Sequence, residues 1–163
     1  MSNAEQFELF ARLMLALALG SAIGTEREFR GHEAGIRTSG LVCLGAAAFG
    51  EISEIFANDR IAAGVVQGVG FLGAGLIFQR NDNISGITTA ATIWVLAGLG
   101  LLISLHLWLV ALLLTGAIIL LLELSPLSDW VYRTGRRRAG ELDLSPEQQP
   151  PPERHPRAAE EDG

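Results

Sequence analysis

Between Ile61 and Phe78 the chain carries no charged side chain, yet it holds glycine at positions 64, 68, 70, 73 and 75. As a helix this run would extend ~27 Å, close to the ~30 Å hydrocarbon layer of a bilayer. The stretch therefore predicts a membrane-crossing helix rather than the core of a soluble domain. Its glycines also match a dinucleotide-binding fingerprint, Gly68-x-Gly70-x-x-Gly73. That motif needs a preceding strand, an amphipathic helix and an acid ~20 residues on. Here both flanks are apolar and the acid's place is taken by Thr88 to Ile93, so the match is rejected.

Helix packing is the better reading, because lipid gives helices no hydrophobic reason to associate and close backbone approach has to supply the attraction. Gly64, Gly68 and Gly75 share one face, and Gly70, Gly73 and Ala74 share another. The expectation is a helix at the bundle centre that touches neighbours on two sides.

With 49% hydrophobic residues in 163, the chain reads as one transmembrane domain, residues 1–138, followed by a tail, 139–163. The tail is rich in Pro and Glu, holds most of the net charge of −6, and cannot bury enough apolar surface to order itself. It is expected to be disordered and cytoplasmic. The single cysteine, Cys43, lies in an apolar run and reads as a small buried hydrophobe. Glu5 and Glu8 precede the first apolar stretch without a basic residue, so that stretch reads as an uncleaved helix and not a signal peptide.

The fold class expected is all-α, a polytopic bundle of about five transmembrane helices. The first covers about Phe7 to Thr25, with Glu8 and Arg12 as an i,i+4 pair at its outer edge. Its small residues Ala16, Gly20 and Gly24 form the natural contact for the glycine helix. A second, Thr38 to Ala57, is either a full span or a re-entrant segment. From Ile87 to Leu124 a single helix would measure ~57 Å, nearly twice the hydrocarbon thickness, so the chain must fold back at Ser104 to Trp108. The fifth helix, Leu107 to Leu124, has few small positions and is expected at the periphery, ending at Pro126. Trp130 and Tyr132 suit an interfacial belt. Arg27, Arg30, Arg37, Arg80, Arg133, Arg136, Arg137 and Arg138 mark one side as cytoplasmic, which puts the amino terminus outside and the carboxyl terminus inside.

No zinc-binding pair, His-Glu-x-x-His or nucleophile elbow is present, so neither an enzyme nor a cofactor is expected. The Arg136–Arg138 cluster fits topology and anionic lipid better than nucleic acid. Glu51 and Glu54 fall on one helical face, and with Asp59 they form a candidate ion site, with Gln67 further in. Carboxylates at membrane depth mark ion paths, but these lie where Arg60 or water can also satisfy them. The Gln67 side-chain amide must itself find a partner on a neighbouring helix. Thr88, Thr89 and Thr92 can cap or back-bond the start of the fourth span, or line an inner vestibule with Arg80 and Asp82.

Four ordered blocks add a further constraint: Gly24-x-Glu26-Arg27-x-x-Arg30-Gly31-x-x-Ala34-Gly35-Ile36-Arg37-Thr38, then Arg60-Ile61-Ala62-Ala63, then Gly68 to Gly75, then Gly86-x-Thr88-Thr89-Ala90-Ala91-Thr92-Ile93-Trp94. Together they closely resemble the MgtC/SapB family of bacterial inner-membrane proteins. The resemblance implies a five-helix domain linked to growth at low magnesium, acid stress and survival within hosts, with a modulatory rather than catalytic activity. It makes Glu26, Arg27, Arg30, Arg37 and Thr38 the charged inner motif. Gly68, Gly70, Gly73, Gly75, Thr88, Thr89 and Trp94 become the membrane core. Many members carry a further soluble domain in place of this tail, and Glu51 and Glu54 stand where apolar residues are expected. The expected partners are the bilayer and another membrane protein, or a second copy. A small oligomeric cation or proton channel is the alternative, and a purely structural scaffold a third.

Overall fold

Ser2 opens the first helix with a reciprocal cap: its hydroxyl accepts from the Glu5 amide at 3.3 Å, and its own amide donates to the Glu5 carboxylate at 2.8 Å. In the computed structural model, which describes residues 2–80 and 83–124, this helix, α1, runs Asn3–Phe29. There follow α2, Ile36–Ile55, then α3, Asp59–Gly75, a hairpin of β1, Phe78–Arg80, and β2, Asn83–Ser85, then α4, Ile87–Ser104, and α5, Trp108–Glu123. The described residues up to Glu123 belong to one unit, Met1–Glu123. The tail and the Arg133 and Arg136–Arg138 cluster lie outside the described residues.

Two helices, α1 and α4, are long and apolar enough to cross a membrane by length and composition. The second span is a continuous helix and not a broken one. The fold-back falls where length requires it: His106 takes a positive φ of 61° and donates its amide to the Ile103 carbonyl, while Leu107 donates to Leu102. The glycine run differs from expectation at its end. The helix stops at Gly75, and the apolar run continues through Leu76 and Ile77 into the hairpin, which pairs Phe78 with Ser85. Gly86 then turns the chain with φ 86°, where a side chain would run into the Leu76 carbonyl.

The core lies among α1, α2 and α4, built on Ile23, Cys43, Ala47, Leu96, Leu99 and Ile103. Small residues set the helix spacing. A Cβ on Gly20 would come within 2.6 Å of Cys43 Cβ and 2.7 Å of the Ser39 carbonyl. One on Gly24 would meet the Gly35 carbonyl at 2.7 Å. The Ala16–Gly20–Gly24 face therefore seats against α2 and the loop before it, not against the glycine helix as expected. The reason is reach: α1 and α2 are consecutive, and Ser39, Gly40 and Cys43 offer a matching flat surface.

α3 itself is peripheral, which corrects its expected central place. Only Val69 and Gly73 are buried, and Gly73 meets Ala90 of α4 at ordinary contact distance. At Gly64, Gly68, Gly70 and Gly75 an added Cβ would meet nothing within 4 Å. As expected, α5 is also peripheral, burying Ala111 and Thr115 and exposing Leu109, Leu113 and Leu121.

Candidate functional site

The residues of the first charged motif and the start of α4 are drawn together at one end of the bundle. Arg27 is only 2% exposed, and its Nη2 donates to the Thr89 hydroxyl at 2.7 Å, tying α1 to α4. Its Nε has no hydrogen-bond partner among the described residues. Beside it, buried Glu26 meets Arg30 Nε at 2.8 Å as a charge contact rather than an aligned hydrogen bond. Arg30 also pairs with Glu123 at the end of α5. On the same turn, the Glu28 carboxylate accepts the Ile36 amide at 2.9 Å and so caps α2, a favourable place for negative charge. The Ser39 hydroxyl closes the loop by donating to the Ala34 carbonyl at 2.8 Å. From α1 this knot reaches α2, α4 and α5 through polar contacts.

The remaining family-motif residues are not gathered here. Arg37, Thr38 and Thr88 are exposed, and Trp94, expected in the membrane core, is 56% exposed on the outside of α4. Thr92 back-bonds to the Thr88 carbonyl at 2.8 Å, as its place in the first turns allows. The Arg80 side chain and Asp82 lie outside the described detail.

Because the Arg27 guanidinium is buried with few partners, the Thr89 hydroxyl carries weight. Thr89→Val keeps the shape and removes the acceptor, and it is expected to cost ~1–3 kcal/mol. Thr88→Val, on an exposed position, is expected to be near neutral. Comparing the thermal unfolding midpoints of both variants in detergent checks this, and equal midpoints would discount the Arg27 tie.

At the opposite end, the candidate ion residues do not converge. Glu51 is buried and engaged by Arg12, whose Nε lies 2.5 Å and Nη2 3.0 Å from its two oxygens. This fork across α1 and α2 replaces the expected Glu8–Arg12 pair, since a planar carboxylate on the facing helix satisfies both guanidinium edges. Glu54 and Asp59 are exposed. Among the described residues no three His, Cys, Asp or Glu side chains are placed to hold a metal ion.

Gln67 also departs from its expected role as glue within the bundle. It is exposed, and its side chain has no partner among the described residues. Ala63, Gln67, Gly70 and Ala74 follow one another at helical spacing and all are exposed. They form an outward stripe on α3, turned away from the Val69 and Gly73 contacts. Sequence reading grouped the glycines by mutual spacing alone and missed this division, as well as a groove of about 550 Å³ between α2 and α3.

The model of the MgtC family matches residues 13–129. An uncharacterized protein of Haemophilus influenzae is 36% identical over 157 residues, 87% of this chain and 66% of its own length. Protein MgtC of Salmonella typhimurium is 46% identical over 102 residues, covering 61% of this chain and 44% of that protein. Protein MgtC of Brucella abortus is 48% identical over 91 residues, 53% and 38% respectively. The chain thus spans less than two thirds of the length of these relatives. No solved structure matches.

Proposed function

Since the chain belongs to the MgtC family, a family of membrane proteins, we propose that it is a multi-pass protein of the bacterial inner membrane that modulates a partner membrane protein. In this reading it carries out no catalytic step, and its setting is the one the family resemblance implies: magnesium homeostasis, acid stress or virulence. The amino terminus faces outward, and the Arg27–Arg30–Arg37 end faces the cytosol.

The observation that carries the proposal is the open amide of Gln67 in the middle of an outward stripe of small residues. Hydrocarbon cannot satisfy a side-chain amide, and leaving one without a hydrogen bond there costs several kcal/mol. A second helix lying on Ala63, Gly70 and Ala74 can approach to backbone range and meet that amide. The broad apolar outside supports lipid as the surrounding solvent, with Phe71 83% exposed and Leu113, Leu120 and Leu121 exposed as well.

The test is site-directed crosslinking from position 71, an exposed Phe beside the stripe, in intact membranes, followed by recovery of the crosslinked species. Gln67→Leu and Gly70→Leu are expected to lower recovery of one defined membrane protein by about tenfold, equivalent to ~1.4 kcal/mol. Ala117→Leu, on the exposed side of α5, is expected to leave it unchanged. Unaltered recovery in the first two variants would sink the proposal. Cation or proton flux through proteoliposomes of the purified chain would displace it in favour of a channel.

A further inference from the structure

The groove between α2 and α3 is walled by Leu41, Gly45 and Phe49 on one side and by Gly64, Gly68 and Leu72 on the other, with Arg60 its one charged lining residue. An added Cβ at Gly45, Gly64 or Gly68 would meet nothing within 4 Å, so missing side chains on both walls make the room. From Arg60 to Leu72 the helix extends ~18 Å, close to the ~15 Å depth of one leaflet's hydrocarbon. Width decides what can lie in such a slot. A helix ~10 Å across and ~18 Å long fills ~1,400 Å³, whereas the groove holds about 550 Å³. A second helix could rest on the rim but not enter. An extended alkyl chain, ~5 Å across at carbon contact distances, needs only ~350 Å³ over the same length.

The polar end of the groove is set by Arg60. Glu54 and Asp59 are close to it in sequence, but neither lines the groove, and both fall on helix faces turned away from the lining residues. Arg60 is exposed and holds no ion pair among the described residues. An apolar slot of leaflet depth with an unpaired guanidinium at one end is complementary to a molecule built the same way, a hydrocarbon chain that ends in an anion. The forked N–H donors of the arginine match the oxygens of a phosphodiester. A headgroup that also carries a quaternary ammonium brings a second cation toward Arg60 and finds no carboxylate among the lining residues. A headgroup of net negative charge is therefore favoured.

We propose that this groove binds one acyl chain of an anionic phospholipid of the bilayer: the chain lies along Gly45, Gly64 and Gly68, and the phosphodiester sits on Arg60. The site rests on the membrane reading above, but it uses the face of α3 opposite the outward stripe. A lipid can therefore occupy one side of this helix while a protein occupies the other.

The test uses the full chain, delipidated in detergent and titrated with phosphatidylglycerol or phosphatidylcholine of matched acyl chains, with bound lipid read by native mass spectrometry. Phosphatidylglycerol is expected to be retained about tenfold more strongly. Arg60→Gln is expected to lower it to the level of phosphatidylcholine. Gly45→Leu and Gly68→Leu, which fill the slot from opposite walls, are each expected to cut retention of both lipids about tenfold. Gly116→Leu, on an open position of α5, is expected to leave retention unchanged. Equal retention of the two lipids by the unaltered chain overturns the proposal. A preference that survives Arg60→Gln does so as well, as does a loss in Gly116→Leu as large as that in Gly68→Leu. A photo-crosslinker at Leu72 in intact membranes is expected to label lipid, and labelling of a second copy or another protein in its place overturns the assignment. Alkaline carbonate extraction separates the two readings. Release of the chain from membranes removes both, whereas an embedded chain that retains the two lipids equally removes this one alone.

Discussion

Gly100→Ala is expected to destabilise the protein more than Gly68→Leu, although the first adds a single methyl group and the second adds four carbons. The ideal Cβ at position 100 falls against the Cys43 carbonyl oxygen and lies 2.8 Å from both Ala46 Cβ and the Ala47 amide nitrogen. These are atoms of the α2 backbone and of a residue with no rotamer to turn away. Helix α4 would have to move off α2, and α2 also packs against α1 and α3. Overpacking of this kind costs ~1–3 kcal/mol or more. At Gly68 nothing lies within 4 Å, so the larger side chain enters free space. Unfolding midpoints in detergent, with the monodisperse fraction by size exclusion, decide the comparison. Similar losses in the two variants would mean that α2 and α4 are not in backbone contact.

Arg12→Leu is the second large effect. It leaves the Glu51 carboxylate, whose side chain is 7% exposed, without its cation. Removing one partner of a buried ion pair costs ~3–5 kcal/mol, whereas replacing both by apolar side chains is often neutral or better. The double variant Arg12→Leu/Glu51→Leu is accordingly expected to recover most of the loss, and Glu51→Leu alone to fall in between, since Arg12 retains some exposure and can reach outward. A complete double-mutant cycle on unfolding midpoints measures the coupling. Additive losses would show that the two side chains do not interact, whatever their separation.

The number and rough extent of the helices were legible because apolar runs are long and the ~57 Å stretch after Ile87 could not cross ~30 Å of hydrocarbon once. That the chain folds back followed from arithmetic, and the polar and aromatic break at Ser104 to Trp108 gave the place. Which faces meet was not legible. Small residues at spacing four occur on α1, α2, α3 and α4, and spacing within one helix says nothing about which other helix supplies the matching surface. The glycine-rich run drew the reading to α3, while the tight contacts belong to Gly20, Gly24 and Gly100. Arg12 had Glu8 available one turn away, so local spacing suggested that pair; its structural partner is 39 residues distant in the chain. Of the candidate site, the Arg27–Thr89 tie was half visible, since both residues stood in the quoted motifs but nothing in their spacing joined them. The hairpin was hidden because hydrophobicity continues past Gly75 without a break.

The division of labour within α3 bears on how such a protein can diversify. Val69 and Gly73 alone hold it to the rest of the chain through buried positions, and the knot of charges that fastens the other helices has no member on it. Substitutions at Ala63, Val66, Gly70 or Ala74 can accordingly accumulate with little penalty to folding. A lineage can retarget its recognition surface one residue at a time while the scaffold beneath it stays under separate selection.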